Sequence, residues 1–180
     1  MQLYILFSVG VFLYSCSNNE VRTETSDLDF VVTYYADSTV KEVVQKRNGL
    51  LEGKAFKFDE QGAKLLEFNY QNDQQEGMQY YYYNHGRLNF AVPYKNGKQH
   101  GWAVCYTGPC GSISEEGQYE NGRKNGLWFS YYDGELLEVL MFKKDSLTKV
   151  VYRNKKYPDR NTIMPPSTKD CADQWRSGEQ

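Results

Sequence analysis

The side chains in this sequence that could do chemistry are its four cysteines, its two histidines, a run of tyrosines and scattered carboxylates. Cys105 and Cys110 flank Tyr106-Thr107-Gly108-Pro109, a spacing that sets two sulfurs on the arms of one hairpin within reach of a cross-strand disulfide in an oxidising compartment. The loop so closed is short, so the entropic gain is small and the bond's use is to pin an irregular turn. Cys171 is then left over and can compete for either partner. A metal would have to gather His100, Cys105 and Cys110, with His85, at spacings that match no zinc pattern, and neither metal nor other cofactor is expected. There is no Ser elbow, no phosphate-cradling glycine loop and no carboxylate pair set apart from the turns, so an enzyme is not expected.

Tyr80-Tyr81-Tyr82-Tyr83 is the most unusual string. If it is a strand, alternation sends Tyr80 and Tyr82 to the core and Tyr81 and Tyr83 outward, with Tyr132 in the same outward phase as Tyr83. Tyr81, Tyr83 and Tyr132 are therefore the candidate partner-binding face, because rigid rings with a hydroxyl suit contact with protein or glycan. The alternative is that they are repeat residues packed against their neighbours.

The elements that position these residues follow from composition and period. With 16 Tyr, 9 Phe and 3 Trp beside 15 Gly and only 5 Pro, the chain favours many short strands joined by turns. A formal net charge of -2 gives no basic field to hold a phosphate backbone, so nucleic acid is not an expected partner. Leu3 to Ser15 is an uncharged run too short to span a bilayer and sized for the apolar core of an export signal, which assigns residues 1–15 to a signal peptide. The border Leu13-Tyr14-Ser15-Cys16 resembles the lipobox of bacterial lipoproteins. That resemblance implies a mature chain lipidated on Cys16 and tethered to a membrane of the cell envelope, facing the periplasm or the exterior. Residues 16–29 are polar and acidic and read as a flexible tether. Residues 153–180 lose all period, carry Pro158, Pro165 and Pro166, and read as a mostly disordered tail.

Between them, residues 30–152 repeat at about 24 residues. Turn dipeptides fall at Asn48-Gly49, Asn72-Asp73, Asn96-Gly97 and Asn121-Gly122, followed by Gly53, Gly77, Gly101 and Gly126. A second turn follows at Gly62, Gly86, Gly111 and Gly134, and a ring closes each returning strand at Tyr70, Tyr94, Tyr119 and Phe142. Asn-Gly supplies positive φ at both central positions of a tight type I′ turn, which fixes strand register. Alternation then places Phe56 and Phe58, Tyr80 and Tyr82, Val104 and Tyr106, and Phe129 and Tyr131 on one face, the expected core, with Lys57, Gln79 and Ser130 on the solvated side. The fold class is all-β: a single-layer antiparallel meander of about ten strands in tandem hairpins.

The stretch from Glu116 through Asn121-Gly122-Arg123-Lys124-Asn125-Gly126 to Trp128, and Lys95-Asn96-Gly97-Lys98-Gln99-His100-Gly101-Trp102, resemble the bacterial MORN-repeat variant, the YwqK-type antitoxin-like repeats. The resemblance implies a MORN-like array that acts by binding. The expectation is a non-enzymatic envelope lipoprotein whose meander is a protein-interaction or scaffolding module. Alternatives are an antitoxin or immunity-like protein that neutralises a toxin, and a module for envelope glycans acting through the outward tyrosines.

Overall fold

The computed structural model describes residues 28–83, 86–107 and 111–157. Along them run strands β1 (Leu28–Tyr34), β2 (Val40–Arg47), β3 (Leu50–Phe58), β4 (Lys64–Gln71), β5 (Gln74–Gln75), β6 (Gly77–Tyr82) and β7 (Leu88–Lys95). They continue as β8 (Lys98–Gln99), β9 (Gly101–Thr107), β10 (Ser112–Glu120), β11 (Arg123–Tyr132), β12 (Glu135–Lys143) and β13 (Ser146–Arg153). All belong to one 13-stranded sheet that follows chain order from β1 to β13, with short β5 and β8 pairing β4 and β7 beside the main path. Every pairing is antiparallel. The expected meander of tandem β-hairpins is the observed fold, and no helix occurs among the described residues.

The turn chemistry explains the register. Asn48 and Gly49, Asn96 and Gly97, and Asn121 and Gly122 all have positive φ, the geometry of a type I′ turn. Asn72-Asp73 and Lys144-Asp145 make the same turn without glycine, Asp73 at φ 64° and Asp145 at φ 70°. Both aspartates return a compensation. Asp73 Oδ1 accepts from Leu51 N–H at 2.7 Å, and Asp145 Oδ1 accepts from Lys124 N–H at 2.7 Å. At four of these turns the turn amide also reaches back to the preceding hairpin, donating from Asp73 to Leu51 O, Gly97 to Gln75 O, Gly122 to Gln99 O and Asp145 to Lys124 O, at 2.8 to 3.0 Å. Turn and neighbouring unit are thus one hydrogen-bonded object.

The strands extend slightly beyond the expected array. Leu28 pairs with Arg47 and Asp29 with Lys46, so the sheet begins inside the stretch assigned to the tether. After β13, Asn154 N–H donates to Leu137 O at 2.8 Å and the Tyr157 ring meets Tyr132 edge-on at 5.9 Å, so the start of the assigned tail is docked. Residues 1–27 and 158–180, with Cys16, Cys171 and the signal segment, lie outside the described residues.

Burial corrects the assignment of the core face. Phe56, Tyr80, Val104 and Phe129 do share a face, in the cross-strand row Val43, Phe56, Glu67, Tyr80, Ala91, Val104, Glu116, Phe129, Val139. Yet the buried cluster is Tyr81, Phe90, Val92, Ala103, Cys105, Tyr119 and Trp128, on the opposite face, with Leu66, Phe68, Tyr94 and Phe142 packed against it. Gln79 and Ser130, expected in solvent, are 0% and 4% exposed. The returning strands decide which face is covered. Opposite Tyr80 and Val104 they place Glu67, Ala91 and Glu116, small or charged, whereas opposite Tyr81 and Trp128 they place Leu66, Phe90 and Leu140. Period two is blind to this choice because it is symmetric between the faces. Buried Gln79 is fully used: Oε1 accepts from Asn69 N–H at 2.9 Å, and Nε2 donates to Asn69 O at 3.1 Å.

The landmark glycines and rings of the repeat are partners. Gly53 faces Tyr70, Gly77 faces Tyr94, Gly101 faces Tyr119 and Gly126 faces Phe142 across the ladder. Gly117 supplies a second vacancy opposite Trp128, whose ring lies where a Cβ would fall, 2.3 Å from Cδ2. There Trp128 is 2% exposed, meets Tyr119 edge-on at 5.1 Å and donates from Nε1 to Gln118 O at 3.2 Å. Gly117→Ala is therefore expected to cost about 1–3 kcal/mol through displacement of that ring. Gly77→Ala meets no atom within 4 Å and suffers only from its φ of +77°, a cost of about 1–2 kcal/mol. Urea unfolding followed by tryptophan fluorescence separates them: only the Gly117 variant should shift the native Trp128 emission.

Candidate functional site

The structure separates the three tyrosines assigned to a partner-binding face. Tyr81 is 9% exposed and belongs to the core, its ring 5.5 Å from Phe68 and 5.7 Å from Phe90. Burial, then Tyr94, whose hydroxyl lies 3.2 Å away, pushes its phenol pKa well up. Tyr83 is half-buried and donates its O–H to Tyr106 O at 3.1 Å. Tyr132 is exposed but sits against Tyr157. These side chains form no common outward surface, because Tyr81 points into the ring-packed face.

Cys105 is 1% exposed and disulfide-bonded, while its expected partner, Cys110, lies outside the described residues, as does His85. His100 holds the polar position before Gly101, its backbone N–H donating to Pro93 O at 2.8 Å. Among the described residues no group of three or more His, Cys, Asp or Glu could hold a metal ion.

What sequence reasoning missed lies on the opposite face, where two carboxylates occupy the same position of the repeat. Glu67 stands opposite Phe56, and Glu116 stands opposite Val104. Lys54 and Trp102 each follow the positive-φ glycine of their unit, and Lys64 and Ile113 each follow the second turn, opposite Phe58 and Tyr106. The flanking hydroxyl comes from Tyr82 at Glu67 and from Tyr131 at Glu116.

At Glu67 the site is closed on itself. Lys54 Nζ lies 2.5 Å from Oε1 and Lys64 Nζ 2.9 Å from Oε2, and Tyr82 O–H approaches Oε2 at 3.4 Å. Lys64 Nζ also lies 5.5 Å from the Phe56 ring centroid and 5.1 Å from that of Tyr82, within cation–π range. Burial acts to raise the Glu67 pKa, but hydrogen bonds and charge from Lys54 and Lys64 outweigh it and leave the carboxyl below the usual range.

At Glu116 the contacts are neutral. Tyr131 O–H donates to Oε1 at 2.7 Å and Trp102 Nε1–H donates to Oε2 at 3.1 Å. Burial, then the Glu116 carboxylate, pushes the Tyr131 phenol up to about 12. Trp102 tilts against Phe129 with ring centroids 6.0 Å apart and is 46% exposed. The result is an aromatic patch with a carboxylate at its floor. Comparing Lys54 with Trp102 unit by unit could have found it.

Two ionic contacts lie on the core face. Lys124 Nζ reaches Glu115 at 3.2 Å and sits 3.9 Å over the Trp128 ring centroid, and Arg153 Nε donates to Glu138 at 2.7 Å. They brace the C-terminal hairpins; Lys124, Glu115 and Glu138 are largely covered, whereas Arg153 is about half exposed. Comparison of the chain with protein-family models and with curated proteins finds no match to either.

Glu67 gives a pH prediction. Its native carboxyl holds a proton less tightly than in the unfolded chain, so its stabilisation is present above the ordinary glutamate range and is lost as pH falls through the native pKa. Glu67→Gln should therefore flatten the loss of urea resistance between about pH 5 and pH 3 relative to wild type. Equal losses in the two proteins would remove Glu67 from the acid response.

Proposed function

We propose that this protein is a non-enzymatic interaction module of the MORN-variant kind, held at the bacterial cell envelope by a lipid on Cys16 and binding a partner protein. The observation that carries this reading is a rigid, internally hydrogen-bonded sheet that leaves large apolar side chains in solvent. They include Phe30 (64% exposed), Trp102 (46%), Leu147 (53%) and Tyr152 (44%). Trp102 is not isolated: it tilts against Phe129 on the face that also carries exposed Ile113, and grouped rather than scattered apolar surface marks a contact site. The lipobox-like Leu13-Tyr14-Ser15-Cys16 and the apolar run before it support the anchor. An acylated N-terminus followed by a polar segment would present the sheet away from the bilayer.

Two experiments test the parts separately. Cys16→Ser should abolish acyl labelling and membrane pelleting; a wild-type chain that never labels overturns the anchor. A photo-crosslinking residue at exposed position 118, opposite Trp102 on the neighbouring strand, with exposed position 60 as control, should give a discrete protein adduct in envelope fractions. Adducts to lipid or polysaccharide alone, or equal adducts from both positions, overturn the protein-partner reading.

A further inference from the structure

We infer that Trp102, Ile113, Glu116, Phe129 and Tyr131 form a docking site for a lysine ammonium group carried by the partner protein, an inference that rests on the protein-binding reading above. The molecule contains its own reference for this site. At Glu67, two repeat units earlier, the same register positions hold a carboxylate, a tyrosine hydroxyl and two lysines, and the lysine charges complete the cluster. At Glu116 the carboxylate and the tyrosine recur, but both lysine positions have become apolar, Trp102 and Ile113, which are 46% and 39% exposed. The described residues bring only neutral donors to Glu116. Such donors orient a carboxylate without cancelling its charge, so the site stays anionic.

The substitution changes what is absent and what is offered. The internal cations are gone, and an exposed indole, the best of the aromatic rings for holding an ammonium, lies beside the carboxylate. In the Glu67 cluster Lys64 Nζ lies 2.9 Å from the carboxylate and 5.1 Å from the Tyr82 ring centroid. A lysine entering from outside over Trp102 and Ile113 would find the equivalent carboxylate and the equivalent ring, Tyr131. Its methylenes would lie on Trp102 while its head reached Glu116, which matches the amphipathic build of that side chain. A neutral sugar would stack on Trp102 but would leave the carboxylate charge unmatched.

The test uses the full chain, with a tetralysine peptide as probe and the same peptide acetylated on every lysine as control. The Trp102 indole N–H resonance is followed by NMR titration. Tetralysine should shift that resonance saturably and the acetylated peptide should not. Glu116→Gln, which keeps an oxygen acceptor but removes the charge, should weaken binding by about fivefold or more. The pair Trp102→Lys with Ile113→Lys rebuilds the Glu67 arrangement and, with binding read instead by the fluorescence anisotropy of dye-labelled tetralysine, should abolish binding while keeping the wild-type urea midpoint, which shows that it folds. Equal binding of the acetylated peptide, unchanged affinity in Glu116→Gln, or a Trp102 shift caused only by a neutral chito-oligosaccharide would overturn the inference. The two readings fail separately. Tetralysine binding without a protein adduct at position 118 sinks the protein-partner reading, whereas an adduct unaffected by Glu116→Gln, with no tetralysine binding, sinks the lysine site.

Discussion

A single sheet has no second layer to cover it, so it must cover its apolar face with its own side chains. The fold solves this by packing large rings against one another across neighbouring strands, Phe68 and Phe90 on Tyr81, and Tyr119 and Phe142 on Trp128. Trp128 also fills the space beside Gly117, whereas the glycines facing Tyr70, Tyr94, Tyr119 and Phe142 carry positive φ and have no ring over them. The consequence is a gradient of burial. Phe90, Val92, Ala103 and Cys105 near the middle are 0% to 1% exposed, whereas β13 is exposed along its whole length and β1 along nearly all of it. Every interior unit is covered by neighbours on both sides, as in other repeat arrays, and the terminal ones on one side only.

The turns tie this covering together. Because the turn amides of Asp73, Gly97, Gly122 and Asp145 donate to the preceding hairpin, the units they close cannot leave the sheet without breaking contacts in their neighbours. Register along the array is therefore set twice, by the type I′ turns and by the amides that reach back. Where the turn lacks glycine, as at Asp73 and Asp145, the aspartate side chain adds a further bond to the preceding strand, which offsets the cost of positive φ at those residues. A scaffold fixed in this way can change the side chains on its other face without altering the backbone beneath. Lys54 and Lys64 at one position and Trp102 and Ile113 at the equivalent one show that freedom, and it is where the repeat departs from itself that a partner could be read.

Much of the fold is legible in the residues. Asn48-Gly49 and its counterparts name the turn, the glycine and ring series name the register, and their common period names the meander. The face of the core is not legible from alternation, because Tyr80 and Tyr81 are equally good strand residues with equally apolar rings. The missing signal lay in the returning strands, where the small or charged Glu67, Ala91 and Glu116 mark the less covered face and Leu66, Phe90 and Leu140 mark the core one. The same oversight turned Tyr81 into a surface residue and hid the Glu116 patch, since both follow from which side of the pleat faces water. Cys16 and Cys110 rest on the sequence alone, outside the described residues.

The central claim is that the sheet buries Tyr81, Tyr119 and Trp128 in its core face and leaves Trp102 in solvent on the other, less covered face. Hydroxyl-radical footprinting of the native chain, read residue by residue by mass spectrometry, addresses it directly. Trp102, Tyr152 and Phe30 should be oxidised rapidly, and Trp128, Tyr119 and Tyr81 should be protected until the protein is unfolded in urea. Oxidation of Tyr81 or Trp128 as fast as that of Trp102 in the native state would contradict the account.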